Sequence, residues 1–375
     1  VVAIGSLSID MALPSLPATA ADLEASSATV QLTVTLFLAA FAVAQLVHGP
    51  LSDRVGRRHV LLGGLVLYVL GGLACWAAPS ARLLVAGRIL QALGAGSGPV
   101  VGRAVVRDLY APSEAARFLG YMGTAMALTP VLAPIIGGLV HVNFGWRAVY
   151  LVLAAWGALF LCAAAWLVPE TRQRRDPGRL ATNAAQLLAD RGFLGYVLVA
   201  ALMFGGQFTF ITGSSFVLIE VLGVSPGVYG LCFGLVALGI MTGSFLAARL
   251  VARLGIDRLI AGATRLGAVA GCVMATLAWG GVRSVPAVIG PMYAFSVGVG
   301  IVLPTTIAGA IGPFPRTAGL ASAVLGFLQL TAAAGYGILV GRFYDGTPVP
   351  MAVAIAAAGL AAAGFTGRRG GRRAP

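Results

Sequence analysis

Residues 49–58 read GPLSDRVGRR, and they separate two apolar runs, Val30–Pro50 and His59–Ala77. A helix that crosses a bilayer needs about 20 mostly apolar residues, and each run meets that length. Gly49 and Gly56 permit a tight reversal between antiparallel helices. Arg54, Arg57 and Arg58 crowd three positive charges into the reversal, the mark of a loop on the cytoplasmic face of a membrane. Asp53 adds a carboxylate that can meet the positive N-terminal end of a neighbouring helix or a nearby arginine. Read by itself, the stretch is either an anchored turn or one element of a gate.

The same alternation of apolar run and arginine-bearing break continues along all 375 residues. The chain is 59% apolar and only 10% charged, with a mean hydropathy of +0.93. Soluble proteins are nearer 45–50% apolar and about 25% charged, so a soluble enzyme or nucleic-acid binder is excluded despite the net charge of +13. Twelve spans are expected: Val1–Thr19, Val30–Pro50, His59–Ala77, Ser80–Val105, Ala115–Val140, Gly145–Leu167, Phe193–Ser214, Pro226–Leu250, Leu259–Trp279, Ser284–Ile307, Thr317–Phe343 and Val349–Phe365. The chain opens inside an apolar stretch without Met, as though the start of a spanning helix lay upstream. Cys75, Cys162, Cys232 and Cys272 sit inside apolar runs as small packing residues, and three scattered histidines suggest no metal site.

All 25 basic residues are arginine. If the first span starts in the cytoplasm, twenty arginines fall on cytoplasmic loops and tail and four outside, with Arg88 inside span four. Both termini are therefore expected in the cytoplasm. The longest polar interruption falls between spans six and seven. The expected organisation is an all-α membrane protein of two pseudo-symmetric six-helix bundles, 1–168 and 193–366, with a cytoplasmic linker 169–192 and a basic tail 367–375. A faint internal repeat supports this, because ARLVARLGIDR (248–258) again places arginines and a glycine at a turn between spans eight and nine. Two such halves suggest a transporter with its substrate site near the membrane midplane.

Three further stretches carry candidate chemistry. Asp10, in SIDMALPSLP (8–17), is the one acid well inside an expected span. It is a candidate proton carrier or counter-charge for a cationic substrate, or it simply pairs with an arginine or a backbone group. Arg88, in GRILQALGAGSG (87–98), is a costly charge within a span. It either points into the first bundle near span one or snorkels to the outer surface. Span five reads GYMGTAMALTPVLAPIIGG (120–138), where Pro130 and Pro134 remove two backbone donors and small residues admit a partner helix closely. Packing accounts for every residue of that stretch.

Together these elements resemble those of the major facilitator superfamily. The loop matches its signature G-x-L-x-D-R-x-G-R-R/K in full, through Gly49, Leu51, Asp53, Arg54, Gly56, Arg57 and Arg58. Arg88 lies in a stretch similar to the motif associated with proton coupling. Gly120, Pro130, Pro134, Gly137 and Gly138 fall in a stretch resembling the antiporter motif of drug exporters, although Ala133 replaces the first glycine of its G-P-x-x-G-G core. IDMALPSLP resembles the IDMYLPALP element of the Bcr/CflA drug-resistance branch, with Ala12 in place of Tyr. The resemblance implies proton-driven export of drug-like molecules, bicyclomycin and amphenicols being typical, by alternating access across the bacterial inner membrane. Coupling would then fall to Asp10 and Arg88, and gating to Gly49, Asp53, Arg54, Gly56, Arg57 and Arg58, with Asp53 docking on the span that starts near Thr317.

Candidate substrate contacts are Gln31, Thr35, Gln45, Met126, Gln207, Phe208, Phe210, Tyr293 and Gln329, a mixed apolar and aromatic lining suited to lipophilic molecules. A transporter of the same fold that moves a sugar or amino acid metabolite, possible as a symporter, stands as the alternative. Enzymatic bond chemistry is not expected, for want of a catalytic cluster. No cofactor is called for beyond the proton-motive force. The expected partners are a small-molecule drug, protons and membrane lipid, with no nucleic acid, and the chain is expected to act as a monomer.

Overall fold

In the computed structural model the described residues are 1–171, 187–314 and 318–370. Most of the expected linker, with Arg172, Arg174, Arg175 and Arg179, lies outside them, as do Arg316, Thr317 and the tail from Gly371. The chain forms two compact units. One comprises Val1–Asp176 with Ser225–Leu231, and the other Pro177–Val224 with Cys232–Pro375.

Helices build both units. The first holds α1 (Ile4–Asp10), a 3-10 turn (Leu13–Ser15), α2 (Leu16–Asp22), α3 (Ser27–Val55) and α4 (Arg57–Trp76). It continues with α5 (Ala81–Ala95), α6 (Ser97–Leu109), α7 (Pro112–Phe144) and α8 (Trp146–Leu167). The second holds α9 (Arg191–Ser215), which runs into a π turn (Phe216–Val221), then α10 (Pro226–Leu254), α11 (Ile256–Trp279), α12 (Val285–Ile311), α13 (Ala318–Phe343) and α14 (Val349–Gly370). The first turn of α10 belongs to the first unit.

Among the described residues eleven helical segments are long and apolar enough to cross a membrane. They correspond to the second through twelfth expected spans; α5 and α6 together make one of them, interrupted at Gly96. The first expected span, Val1–Thr19, is corrected. It is not one helix but three short pieces, because Pro14 and Pro17 supply no N–H and their rings exclude the carbonyls four residues back, Asp10 and Leu13. The Leu13 carbonyl instead accepts from Leu16 N–H, tightening the chain into a 3-10 turn.

Large apolar side chains face outward along the helices, as lipid contact requires. Four of the most exposed aromatics stand at helix ends, with Phe144 closing α7, Trp166 near the end of α8, Trp279 closing α11 and Phe343 closing α13. Such placement suits the interfacial belts of a bilayer. Packing repeats between the units: α4 rests on α5 and α8 in the first, and α11 rests on α12 and α14 in the second. The faint repeat in the sequence has a structural counterpart as well. Gly56 (φ 121°) ends α3 and Gly255 (φ 76°) ends α10, each in a left-handed conformation that side chains other than glycine rarely adopt.

Candidate functional site

Asp10 closes α1 at the helix break. It is only 5% exposed, and no hydrogen bond or ion pair reaches its carboxyl among the described residues. The break packs on α7, where the Met11 carbonyl fills the space a side chain at Gly137 would occupy. The stretch resembling the antiporter motif therefore does a definite packing job beside Asp10. One residue further, Gly138 faces the Pro226 carbonyl, and Gly230 in turn faces the backbone of Pro134 and Ile135. Pro130 and Pro134 are accommodated inside α7 without ending it. Gly120 is exposed, with open space around it.

Arg88 sits on α5 and is completely buried within the first unit. Its Nε donates to the Thr33 carbonyl at 3.2 Å and its Nη1 to Gln91 Oε1 at 2.7 Å. The guanidinium lies 4.1 Å from the Phe37 ring centroid and 5.7 Å from that of Tyr150. These partners come from α3, α5 and α8, and the structure brings no carboxylate to it among the described residues. A buried charge without a counter-ion is normally disfavoured by several kcal/mol. Here two directed hydrogen bonds and aromatic faces offset part of that cost. Asp10 and Arg88 thus share a unit but form no ion pair.

The α3–α4 turn gathers a charge network. Arg57 is buried; its guanidinium pairs with Asp53 at 2.6 Å and Asp108 at 3.2 Å and donates to Ser52 Oγ at 2.6 Å. Arg58 donates to the Ala165 carbonyl at 2.6 Å. Glu170 takes the Arg57 backbone N–H at 2.7 Å on one oxygen and sits 3.0 Å from His59 Nδ1 on the other. Partial burial opposes ionisation at Glu170, yet the Arg57 N–H, the His59 ring and the Thr171 N–H together hold its carboxyl below the usual range. Its oxygens occupy the space a side chain on Gly56 would need, 2.5 Å from that position. Asp53 therefore meets an arginine of its own turn. The docking partner expected for it, Thr317, lies outside the described residues.

In the second unit, Gln207 accepts from Ser296 Oγ at 2.9 Å and both are buried. Phe208 and Phe210 are buried; Phe210 stacks on Phe233 at 5.9 Å. The Tyr293 hydroxyl lies 3.1 Å from Thr242 Oγ1, and Gln329 is half-buried. In the first unit Gln31 and Thr35 are buried, Gln45 is half-buried and Met126 is exposed. Sequence reasoning missed Gln91, three residues from Arg88 on the same helix, and Asp108, Glu170 and Tyr150, which reach their partners only through the tertiary fold. It also missed a clamp on α2. Asp22 accepts from Arg147 at 2.6 Å and from Trp146 Nε1 at 3.1 Å, and these bonds hold its carboxyl below the usual range. Its one legible signal was an acid at the end of a span, opposite a Trp-Arg pair opening another.

The model of the Major Facilitator Superfamily matches residues 1–338. This chain belongs to that superfamily. It is 34% identical to an uncharacterized MFS-type transporter, YdgK, of Bacillus subtilis, over 93% of this chain and 88% of the relative. It is 33% identical to multidrug resistance protein D of Escherichia coli (88% and 83% covered) and 34% to a chloramphenicol resistance protein of Pseudomonas aeruginosa (86% and 77%). Solved folds agree. A POT family transporter in complex with 5-aminolevulinic acid superposes with a TM-score of 0.78 at 13% identity, covering 98% of this chain and 94% of that one. A D-xylose-proton symporter gives 0.73 at 17% identity, covering 97% and 95%. The superfamily member is a multi-pass secondary transporter of small molecules and not an enzyme.

Proposed function

We propose that this superfamily transporter exports drug-like small molecules in exchange for protons, by alternating access across the bacterial inner membrane. The observation that carries the reading is Asp10: a buried acid without a partner among the described residues, placed where a helix breaks, the kind of position at which transporters often build their ion and substrate sites. Relatives named for multidrug and chloramphenicol resistance favour outward drug transport. In this reading Asp10 alternates between proton and substrate, and Arg88 sets the local field that favours proton release. The Arg57 network with Asp53 serves as the cytoplasmic gate, and the chain works as a monomer with both termini in the cytoplasm.

The test is expression in an efflux-deficient bacterium against a drug panel, paired with drug-stimulated proton release from the purified protein. The wild type should raise resistance and release protons. Asp10→Asn should fold normally and do neither. Undiminished proton release from Asp10→Asn would exclude it as the coupling acid, and no resistance to any drug from the wild type would remove the export reading.

A further inference from the structure

Threonines inside apolar helices ordinarily satisfy their hydroxyls at home, by donating to the carbonyl three or four residues back. Eight of the buried threonines here do so, among them Thr19 to Ser15, Thr33 to Val30 and Thr305 to Ile301. Thr35 does not. It is 0% exposed, its Oγ1 has no partner among the described residues, and it lies well inside α3 with a carbonyl available to it. One helical turn before it, Gln31 is 1% exposed, and neither its Oε1 nor its Nε2 has a partner among the described residues. Residues four apart share one helix face with Cβ atoms about 5–6 Å from each other. Thr33 and Phe37, which hold Arg88, lie on the other side of α3.

Three orphaned polar atoms on one face are expensive. Leaving a buried polar group unpaired forfeits its full hydration, whereas apolar residues of the same shape would sit there without penalty. A carboxamide offers a donor and an acceptor together, and a hydroxyl offers either, so the set is complete for a neutral polar group and supplies no charge. We propose that Gln31 and Thr35 form the polar recognition element for neutral hydrogen-bonding substrates: molecules bearing an amide or hydroxyls that both donate and accept. The proposal rests on the export reading and deepens it. It divides the labour in the first unit, with Asp10 handling charge and the α3 face reading uncharged polar groups.

The experiment uses the full chain in an efflux-deficient bacterium, with chloramphenicol as the hydrogen-bonding probe and tetraphenylphosphonium as a drug without hydrogen-bonding groups. The double variant Gln31→Met/Thr35→Val removes all three polar atoms at nearly constant volume. It should unfold in detergent at the wild-type temperature or above, because it deletes unpaired groups, yet lose chloramphenicol efflux by about tenfold or more. Thr305→Val deletes a hydroxyl that is already satisfied and should leave efflux intact. Wild-type chloramphenicol efflux in the double variant, an equal loss in Thr305→Val, or a loss accompanied by a lower unfolding temperature would each overturn the proposal. A wild type that exports tetraphenylphosphonium but no chloramphenicol also refutes it and leaves the export reading standing. A wild type that exports neither refutes the export reading itself.

Discussion

Replacing Gly137 with alanine tests whether the helix break at Asp10 depends on α7. A Cβ there would collide with the Met11 carbonyl oxygen and lie 2.8 Å from its carbon and 3.0 Å from its Cα, all of them backbone atoms. Ordinary contact begins at 3.4 Å, so α1 and α7 must separate; no rotamer change can relieve the clash. Overpacking costs about 1–3 kcal/mol, and a backbone obstacle belongs at the upper end. Alanine recovers up to about 1 kcal/mol of helix propensity, leaving a net loss of about 2 kcal/mol. Gly120→Ala, on the same helix, gains the same propensity and meets nothing within 4 Å. The propensity gain cancels between the two variants, so they should differ by about 3 kcal/mol. Denaturant unfolding of the detergent-solubilised variants measures that difference. Drug export should fall with Gly137→Ala and persist with Gly120→Ala. Equal stabilities would show that the close approach of α7 to Met11 is not a constraint on the fold.

Two further outcomes follow from the charge networks. Asp108 and Asp53 both hold Arg57, but their side chains are 7% and 34% exposed; Asp108→Asn should destabilise by about 3–5 kcal/mol, as breaking a buried pair does, and Asp53→Asn by about 1 kcal/mol or less. The same unfolding assay decides, and a reversed order would mean that Asp53 is the principal partner. At the Asp22 clamp, the bonds from Arg147 and Trp146 depress the folded-state pKa, so their stabilisation is fully present above the usual carboxylate value and is lost as pH falls through the depressed one. Unfolding followed downward from about pH 5 should show this acid loss in the wild type and less of it in Asp22→Asn; identical profiles would assign the acid sensitivity elsewhere.

The spans were legible because apolar runs and arginine-bearing breaks are local properties of the chain, and eleven reappear close to their expected limits. The break in the first was legible too, from Pro14 and Pro17, but hydropathy averages over prolines and hides it. Asp10 and Arg88 stood out because a charge inside an apolar run needs no partner to be noticed. The surroundings of Arg57 did not stand out. Asp108 and Glu170 reach it from distant parts of the chain, each looks like an ordinary loop acid in sequence, and no periodicity links them. The silence around Thr35 was equally invisible, since an orphaned hydroxyl is recognised only against neighbours that have satisfied theirs.

The broken first segment also bears on how the protein is made. Backbone groups released from a helix are tolerated at membrane depth only when protein covers them. The carbonyl at Met11 finds its cover on α7 at Gly137, which the ribosome completes long after the first segment has emerged. The seating of the break on α7 is therefore completed only when α7 arrives, and damage to the Gly137 contact should leave newly made chains with the stretch around Met11 exposed to quality-control proteolysis.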